Sequence, residues 1–484
     1  MKKILQKVAI TALVFLTLIS CENTGGNGAV DLINQDKEYD LNSQYELSAT
    51  YNSSASLLGK LLQPQYNETE QKHASDIYTS DQFGRSVSID GVYAIAGAPY
   101  EDGGILNPIN SAGTAYVYKR QAVAGLWIEK QILLASNIEA TDNFGTTVSI
   151  RGNYAMVSAL YEDADSSDPS YNTGAVYVFE RDSSDTWNEI QILHASDMHS
   201  QMEFGKSISI EGNYAVIGAP RAKACPPSIA CGSVYIFELI NGNVWTEIQI
   251  INASDEYYGD SFGGAVSING ERIVVGAMRE DGGTGSPDND AGAVYIFERN
   301  TAGVWVETAN LHASNKAQDD YFGASVSIYG DHAIVGAYQQ DGPAGNTNKA
   351  GAIYFFYRQS GGNWVEIANL YASNMQAGDV FGSSVSIYGE FAIVGAPGED
   401  GKPSNPDNTN YGAAYVFRLI NGTTWTQIQR FRSSDKEELD HFGSKVAMSG
   451  RYAIFGVPWE DGGPNRSIPY AGAIYFFKRP FATP

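Results

Sequence analysis

Cysteine, histidine and positive charge are all scarce in this 484-residue chain: three Cys, six His, and 31 Lys and Arg against 55 Asp and Glu. A formal net charge of −24 argues against nucleic acid, phosphorylated ligands and anionic membrane surfaces as partners. It favours cations or neutral ligands such as glycans, or simply a well-solvated acidic surface. No Gly-x-Ser-x-Gly elbow, His-Glu-x-x-His pair or phosphate loop is present, so the usual signatures of hydrolases, metalloproteases and nucleotide enzymes are missing. Past the N-terminus no apolar run is long enough, or periodic at 3.6 residues, to argue for a helix.

What the chain has instead is repetition. Phe-Gly pairs fall at Phe83, Phe144, Phe204, Phe262, Phe322, Phe381 and Phe442, spaced 58 to 61 residues apart. A fixed period of this size means one supersecondary unit copied seven times. Within a unit, short runs rich in Val, Ile, Tyr and Phe are bounded by Gly, Asn or Asp, which are strand signals. Each unit holds four strands. Seven such units without helices predict an all-β fold, a seven-bladed β-propeller of four-stranded antiparallel blades. The first strand carries small residues (Gly84, Ser86 and Ser88 in the first copy), which suit the crowded hub. The last strand carries Trp127, Trp187, Trp245, Trp305, Trp364 or Trp425, where blades fan apart. A seventh Trp, Trp459, lies outside this register.

Each repeat Phe is expected to wedge between neighbouring blades. An Asp stands two residues before it in six copies (Asp81, Asp142, Asp260, Asp320, Asp379 and Asp440), with Met202 as the exception. Asp suits an Asx-type turn here; a shared acidic ligand site is the sharper reading. The seventh copy stops after three strands at Lys478. The segment 66–75 aligns with 187–196, so an N-terminal strand is expected to complete the last blade and remove an exposed edge. Leu61 and Leu62 offer a second anchor for that strand.

The Phe-Gly, followed about 12 residues later by Gly-Ala-Pro (Gly97-Ala98-Pro99, Gly218-Ala219-Pro220, Gly395-Ala396-Pro397), resembles the FG-GAP repeat of integrin α-chain propellers and their bacterial relatives. The resemblance implies extracellular recognition. Its Ca²⁺ loop does not carry over. The connection between the first two strands is a tight turn, such as Asp90-Gly91, too short to supply six to eight oxygens.

The ends and loops carry the remaining signals. Residues 1–20 read as a lipoprotein signal peptide, with Lys2, Lys3 and Lys7 before an apolar core too short to span a bilayer. Leu18-Ile19-Ser20-Cys21 resembles a lipidation site, Cys21 becoming the acylated first residue; a plain secretory signal is the competing reading. Removing the three lysines takes the net charge from −24 to −27. Residues 21–57 are polar and aperiodic, a flexible tether, leaving 58–484 for the propeller. An exported, membrane-anchored lipoprotein is expected, at the outer membrane or cell surface. Cys225 and Cys231 are expected to form a loop-closing disulfide, or else half of a metal site.

Antiparallel alternation puts the short 1–2 and 3–4 turns on one face and the long 2–3 and 4–1 connections on the other. The 2–3 loops open with an acidic pair in most copies: Glu101-Asp102, Glu162-Asp163, Glu280-Asp281, Glu399-Asp400 and Glu460-Asp461, with Gln340-Asp341 in the fifth. Two readings stand: a turn device, or carboxylates converging on Ca²⁺ or a cationic ligand. No other cofactor is expected. The third copy is basic instead, and Arg221 and Lys223 are the candidates for a specific contact; drift is the bland reading. His73, His194 and His312 share one repeat position and read as framework. The expected function is a monomeric envelope module for recognition or adhesion, its long-loop face binding a protein or glycan. A polysaccharide hydrolase or lyase, or a scaffold subunit of an envelope complex, is the competing reading.

Overall fold

β-branched and aromatic residues bounded by Gly and Asp become strands throughout. The computed structural model describes residues 66–479, except 103–109, 138, 164–171, 223, 226–228, 243, 282–288, 344, 346, 401–409, 436 and 463–466. The signal peptide, the tether, Cys21 and the Leu61–Leu62 anchor therefore lie outside the described residues, as does Lys223. Among the described residues are seven four-stranded antiparallel sheets and one two-stranded ribbon. Blade 1 runs from the hub outward as Ser86–Asp90, Tyr93–Ala98, Thr114–Arg120 and Trp127–Leu133. Blades 2 to 6 repeat this order. Blade 7 takes Lys445–Ser449, Tyr452–Val457 and Ala473–Lys478 from the C-terminal end and Asn67–Lys72 as its outer strand.

The blades pack through seven apolar clusters, each shared by two neighbours. Between blades 1 and 2, Ile95, Ala115, Val117 and Leu133 meet Phe144, Tyr177 and Trp187. Between blades 7 and 1, Ile454, Ile474 and Phe476 meet Phe83, Tyr116 and Trp127. The repeat Phe is thus a wedge, edge-on to a Tyr of its own blade at 5.1–5.5 Å in every copy. Burying each such ring is worth about 1.5–3 kcal/mol.

Backbone contact accompanies the wedge. The Phe N–H donates across to the preceding blade at all seven junctions, for instance Phe144 to Ala112 O at 2.9 Å and Phe83 to Ala471 O at 2.9 Å. The glycine just before the third strand sits against that Phe: a Cβ on Gly113, at φ +87°, would lie 2.0 Å from Phe144 O. Inner-strand serines finish the hub. Ser86 Oγ donates to Gly145 O, and Ser88 Oγ accepts the Ile150 N–H. The small residues expected at the hub are therefore also its inter-blade hydrogen-bonding groups.

At the rim a bulge does the sorting. In a regular strand, Trp127, Glu129, Gln131 and Leu133 would share one face. The bulge between Glu129 and Gln131 sends the first pair to one neighbour and the second pair to the other. Glu129 accepts the N–H and Oγ–H of Ser75 in blade 7. The Gln131 amide exchanges two bonds with the Trp187 backbone in blade 2, at 2.7 and 2.9 Å. A Ser–Glu or Ser–Gln clamp recurs at every junction, through Ser136, Ser196, Ser254, Ser314, Ser373 and Ser434. The Ser434–Glu68 clamp ties the N-terminal strand to blade 6.

Replacing Gly113 with Ala forces a Cβ into a backbone oxygen and strains a left-handed residue. It should destabilise by about 2–4 kcal/mol. Gly125→Ala, at φ +70° with nothing within 4 Å of its Cβ, should cost only about 1 kcal/mol. Denaturant melts of the two variants check the difference; equal losses would contradict the close-approach account.

Candidate functional site

The long connections gather on one face, around the mouth of the channel. The repeated carboxylates on this face are mostly committed to the frame. Asp81 Oδ2 accepts the Tyr78 N–H at 2.6 Å, and Asp142, Asp260, Asp320, Asp379 and Asp440 each accept the N–H three residues back in the same way. The side chain thus closes a turn. Burial pushes the carboxyls of Asp81, Asp260 and Asp379 up to about 7 and that of Asp142 to about 6, with the nearby acidic pairs adding to the shift. Where Met202 replaces the Asp it is fully buried and joins the apolar cluster.

The acidic pairs divide their labour. Their aspartates clip the 2–3 loops: Asp102 accepts the Ser111 N–H at 3.0 Å, Asp163 that of Asn172, Asp281 that of Asp290, Asp400 that of Asn410 and Asp461 that of Tyr470. Asp341 does the same for Lys349 in the fifth copy. Their glutamates are buried within their own blades. Glu460 lies 3.4 Å from His73, Glu162 3.9 Å from His194 and Glu280 3.6 Å from His312. Glu399 is held by Arg432 through two bonds of 2.7 and 3.0 Å, and Glu101 accepts from the Thr114 hydroxyl. Where the carboxylate changes, the partner changes with it: Gln340 goes with Tyr371, and Ala222 with Asn252. The structure brings each glutamate to its own blade's partner and does not bring the glutamates to one another. Among the described residues no group of three or more His, Cys, Asp or Glu is placed to hold a metal.

In blade 3, Arg221 is solvent-facing and pairs with Glu203 at 3.1 Å. Its loop forms the two-stranded ribbon, Ala224–Cys225 against Ile229–Ala230. Cys231 is buried and disulfide-bonded; the Cys225 side chain lies outside the described set.

Two adjoining cavities, of about 320 and 370 Å³, open beside each other where blade 7 meets blade 1. Gln82 is common to both. Thr79, Tyr100, Asp102 and Ser111 line the first, and Leu439, His441, Trp459 and Tyr470 line the second. The junction is backbone-tied: the Gln82 N–H donates to Tyr470 O at 3.1 Å, and the Ser80 N–H to Pro469 O at 2.9 Å. Gln82, His441 and Tyr470 hold φ between +54° and +57°, and equivalent residues in other copies are also left-handed (Asn143, Tyr321 and Ser111 among them), so this backbone belongs to the repeat. His441 packs on Trp459 at 4.5 Å, and burial lowers its imidazole below the usual histidine range. Sequence reasoning set Trp459 aside for being out of register and did not weigh Gln82. The one signal was that no other copy has Trp directly before its acidic pair.

Seven four-stranded blades, the last completed by the N-terminal strand, make the chain a β-propeller. Segments 66–118, 127–179, 187–237, 245–297, 305–356, 364–417 and 425–477 match the FG-GAP repeat, and the chain belongs to the FG-GAP repeat family. No curated protein matches it closely.

The buried aspartates set a pH dependence. Their folded pKa lies above the unfolded value near 3.8, so the folded state holds the extra protons. Their stabilising contribution is complete below that unfolded value and is lost as pH rises through about 7. Melting temperature should fall between pH 5.5 and pH 8. Asp379→Asn, which keeps an acceptor for the Gln376 N–H, should melt a few degrees higher than wild type at pH 8 and show a flatter profile. A lower melting temperature at pH 8 would contradict the assignment.

Proposed function

We propose that this protein is an envelope recognition or adhesion module that binds a protein or glycan through its long-loop face, held to the outer membrane or cell surface by lipid on Cys21. The observation that carries the reading is the division of the carboxylates. The repeated ones are mostly tied into the scaffold, while two adjoining cavities open at a single junction of one face. Rigid scaffolds with variable loops on one side are a common arrangement for binding, and family membership supports a binder by analogy alone. No helix among the described residues is long and apolar enough to cross a membrane, so the anchoring proposal rests on the leader and Cys21. Several acyl chains would suffice for stable attachment.

The test is a screen of the full chain against surface glycans and envelope proteins, with and without Ca²⁺. Selective binding in at least one condition is expected, and no ligand in either would remove the reading. Separately, Cys21→Ser should move the protein from the membrane fraction to the soluble one. Retention of that variant in the membrane fraction would exclude lipid anchoring.

A further inference from the structure

Three cations occupy the long-loop end of the channel in this acidic protein. Arg85 and Lys206 each follow directly on a Phe-Gly pair, in blades 1 and 3, and Lys445 opens the inner strand of blade 7. Lys445 stands where the other blades carry Ser86, Thr147, Ser207, Ala265, Ser325 and Ser384. Water reaches its side chain through the channel, yet protein encircles it. No described residue gives it a hydrogen bond or ion pair. Burial, with Arg85 and Lys206 close enough to repel it, lowers its ammonium to about 8. Lys206 has a carboxylate partner, Glu203, at 3.5 Å. Arg85 connects this cluster to the cavities, its guanidinium lying 5.6 Å from the centre of the Trp459 ring. At the partition between the cavities, the Gln82 amide oxygen is buried without a hydrogen-bond partner.

We propose that the mouth between blades 7 and 1 binds an acidic polysaccharide, one uronate ring lying against Trp459 with its carboxylate toward Arg85 and Lys445. Hydroxyls of the adjoining sugar reach Gln82 and Asp102 in the first cavity. The chemistry of the two cavities sets this orientation. Asp102 repels a carboxylate and accepts from hydroxyls, whereas the aromatic cavity beside Arg85 offers an apolar ring face next to positive charge. An uncommitted cation in the channel favours an anion over a neutral sugar. The net charge of −24 describes the whole surface and not this mouth, where low-dielectric walls concentrate the local field. The inference rests on the recognition reading and narrows it to one ligand class and one junction.

The test is titration calorimetry of the full chain with oligogalacturonate, a neutral cello-oligosaccharide of equal length, and polyphosphate. Oligogalacturonate should bind at least tenfold more tightly than either comparator, and more weakly as salt rises. Trp459→Ala and Lys445→Ser should each weaken it tenfold or more, Trp459→Phe should retain most of the affinity, and Arg221→Ala should change nothing. Unchanged melting temperatures would show that the variants fold. Equal binding of the neutral oligomer removes the role of the cations. Equal binding of polyphosphate makes the mouth a non-specific anion trap and overturns the proposal. Absence of uronate binding overturns it while leaving the recognition reading intact if the wider screen finds another ligand; if that screen is also empty, both fall.

Discussion

Close approach of backbone at the blade junctions is the constraint on which everything else depends. Gly97 faces the Gly145 carbonyl, Gly218 faces Gly263, and Gly456 faces Gly84 across the closure, with room for no Cβ between them. That spacing lets the Phe N–H reach the preceding blade and lets Phe, Tyr and Trp interdigitate behind it. Blade 2 shows the tolerance of the arrangement. Ser158 takes the place of the glycine, and its hydroxyl accepts the Thr147 N–H at 3.0 Å, so a small polar side chain fits where it finds a partner. Polar stitching at hub and rim then fixes the angle between blades. None of these contacts is large alone; a neutral hydrogen bond is worth about 1 kcal/mol. Their repetition around a closed ring leaves no blade free to open singly.

Closure by the N-terminal strand belongs to the same system. Asn67–Lys72 pairs with Ala473–Lys478, Glu68 takes the Ser434 clamp, and Glu70 accepts the Trp127 N–H at 2.7 Å. Tyr66 stands in for the missing Trp, packing on Phe391 and Phe431, and exchanges two bonds with the Gln429 amide. Thr69 and Gln71, which stand where the aligned segment of blade 2 has Ile190 and Ile192, are explained by their surroundings. Thr69 falls in the bulge and donates to Phe476 O, and Gln71 donates to the Tyr475 hydroxyl.

The blade count, strand order and wedge Phe were legible because each rests on a period, and periods survive in sequence. The bulge was not. Trp127, Glu129, Gln131 and Leu133 alternate as if on one face, and a single inserted backbone residue divides them between two neighbours. The tie between the repeated His and the acidic-pair Glu was half legible. In two copies both positions differ, Gln340 with Tyr371 and Ala222 with Asn252, whereas the first keeps Glu101 with Leu134 at the His position, and only the fold places the two positions side by side. Trp459 was legible as a departure from the repeat, and so was Lys445 by comparison of the copies, though sequence reasoning did not weigh it. Their relation to Arg85 was not, since Arg85 and Lys445 stand 360 positions apart in the chain and meet only because the ring closes.

Each matched segment begins on the outer strand of one blade and ends on the third strand of the next. Duplication or loss of such a segment would leave every sheet with four strands and every rim clamp with a partner. Gene rearrangement could therefore change the number of blades without creating an unpaired edge. The opposing glycines would still set the distance between neighbours, so an added sector would widen the pore. Arg85, Lys206 and Lys445 would then stand farther apart, so the copy number of the repeat sets the spacing of positive charge around the aperture.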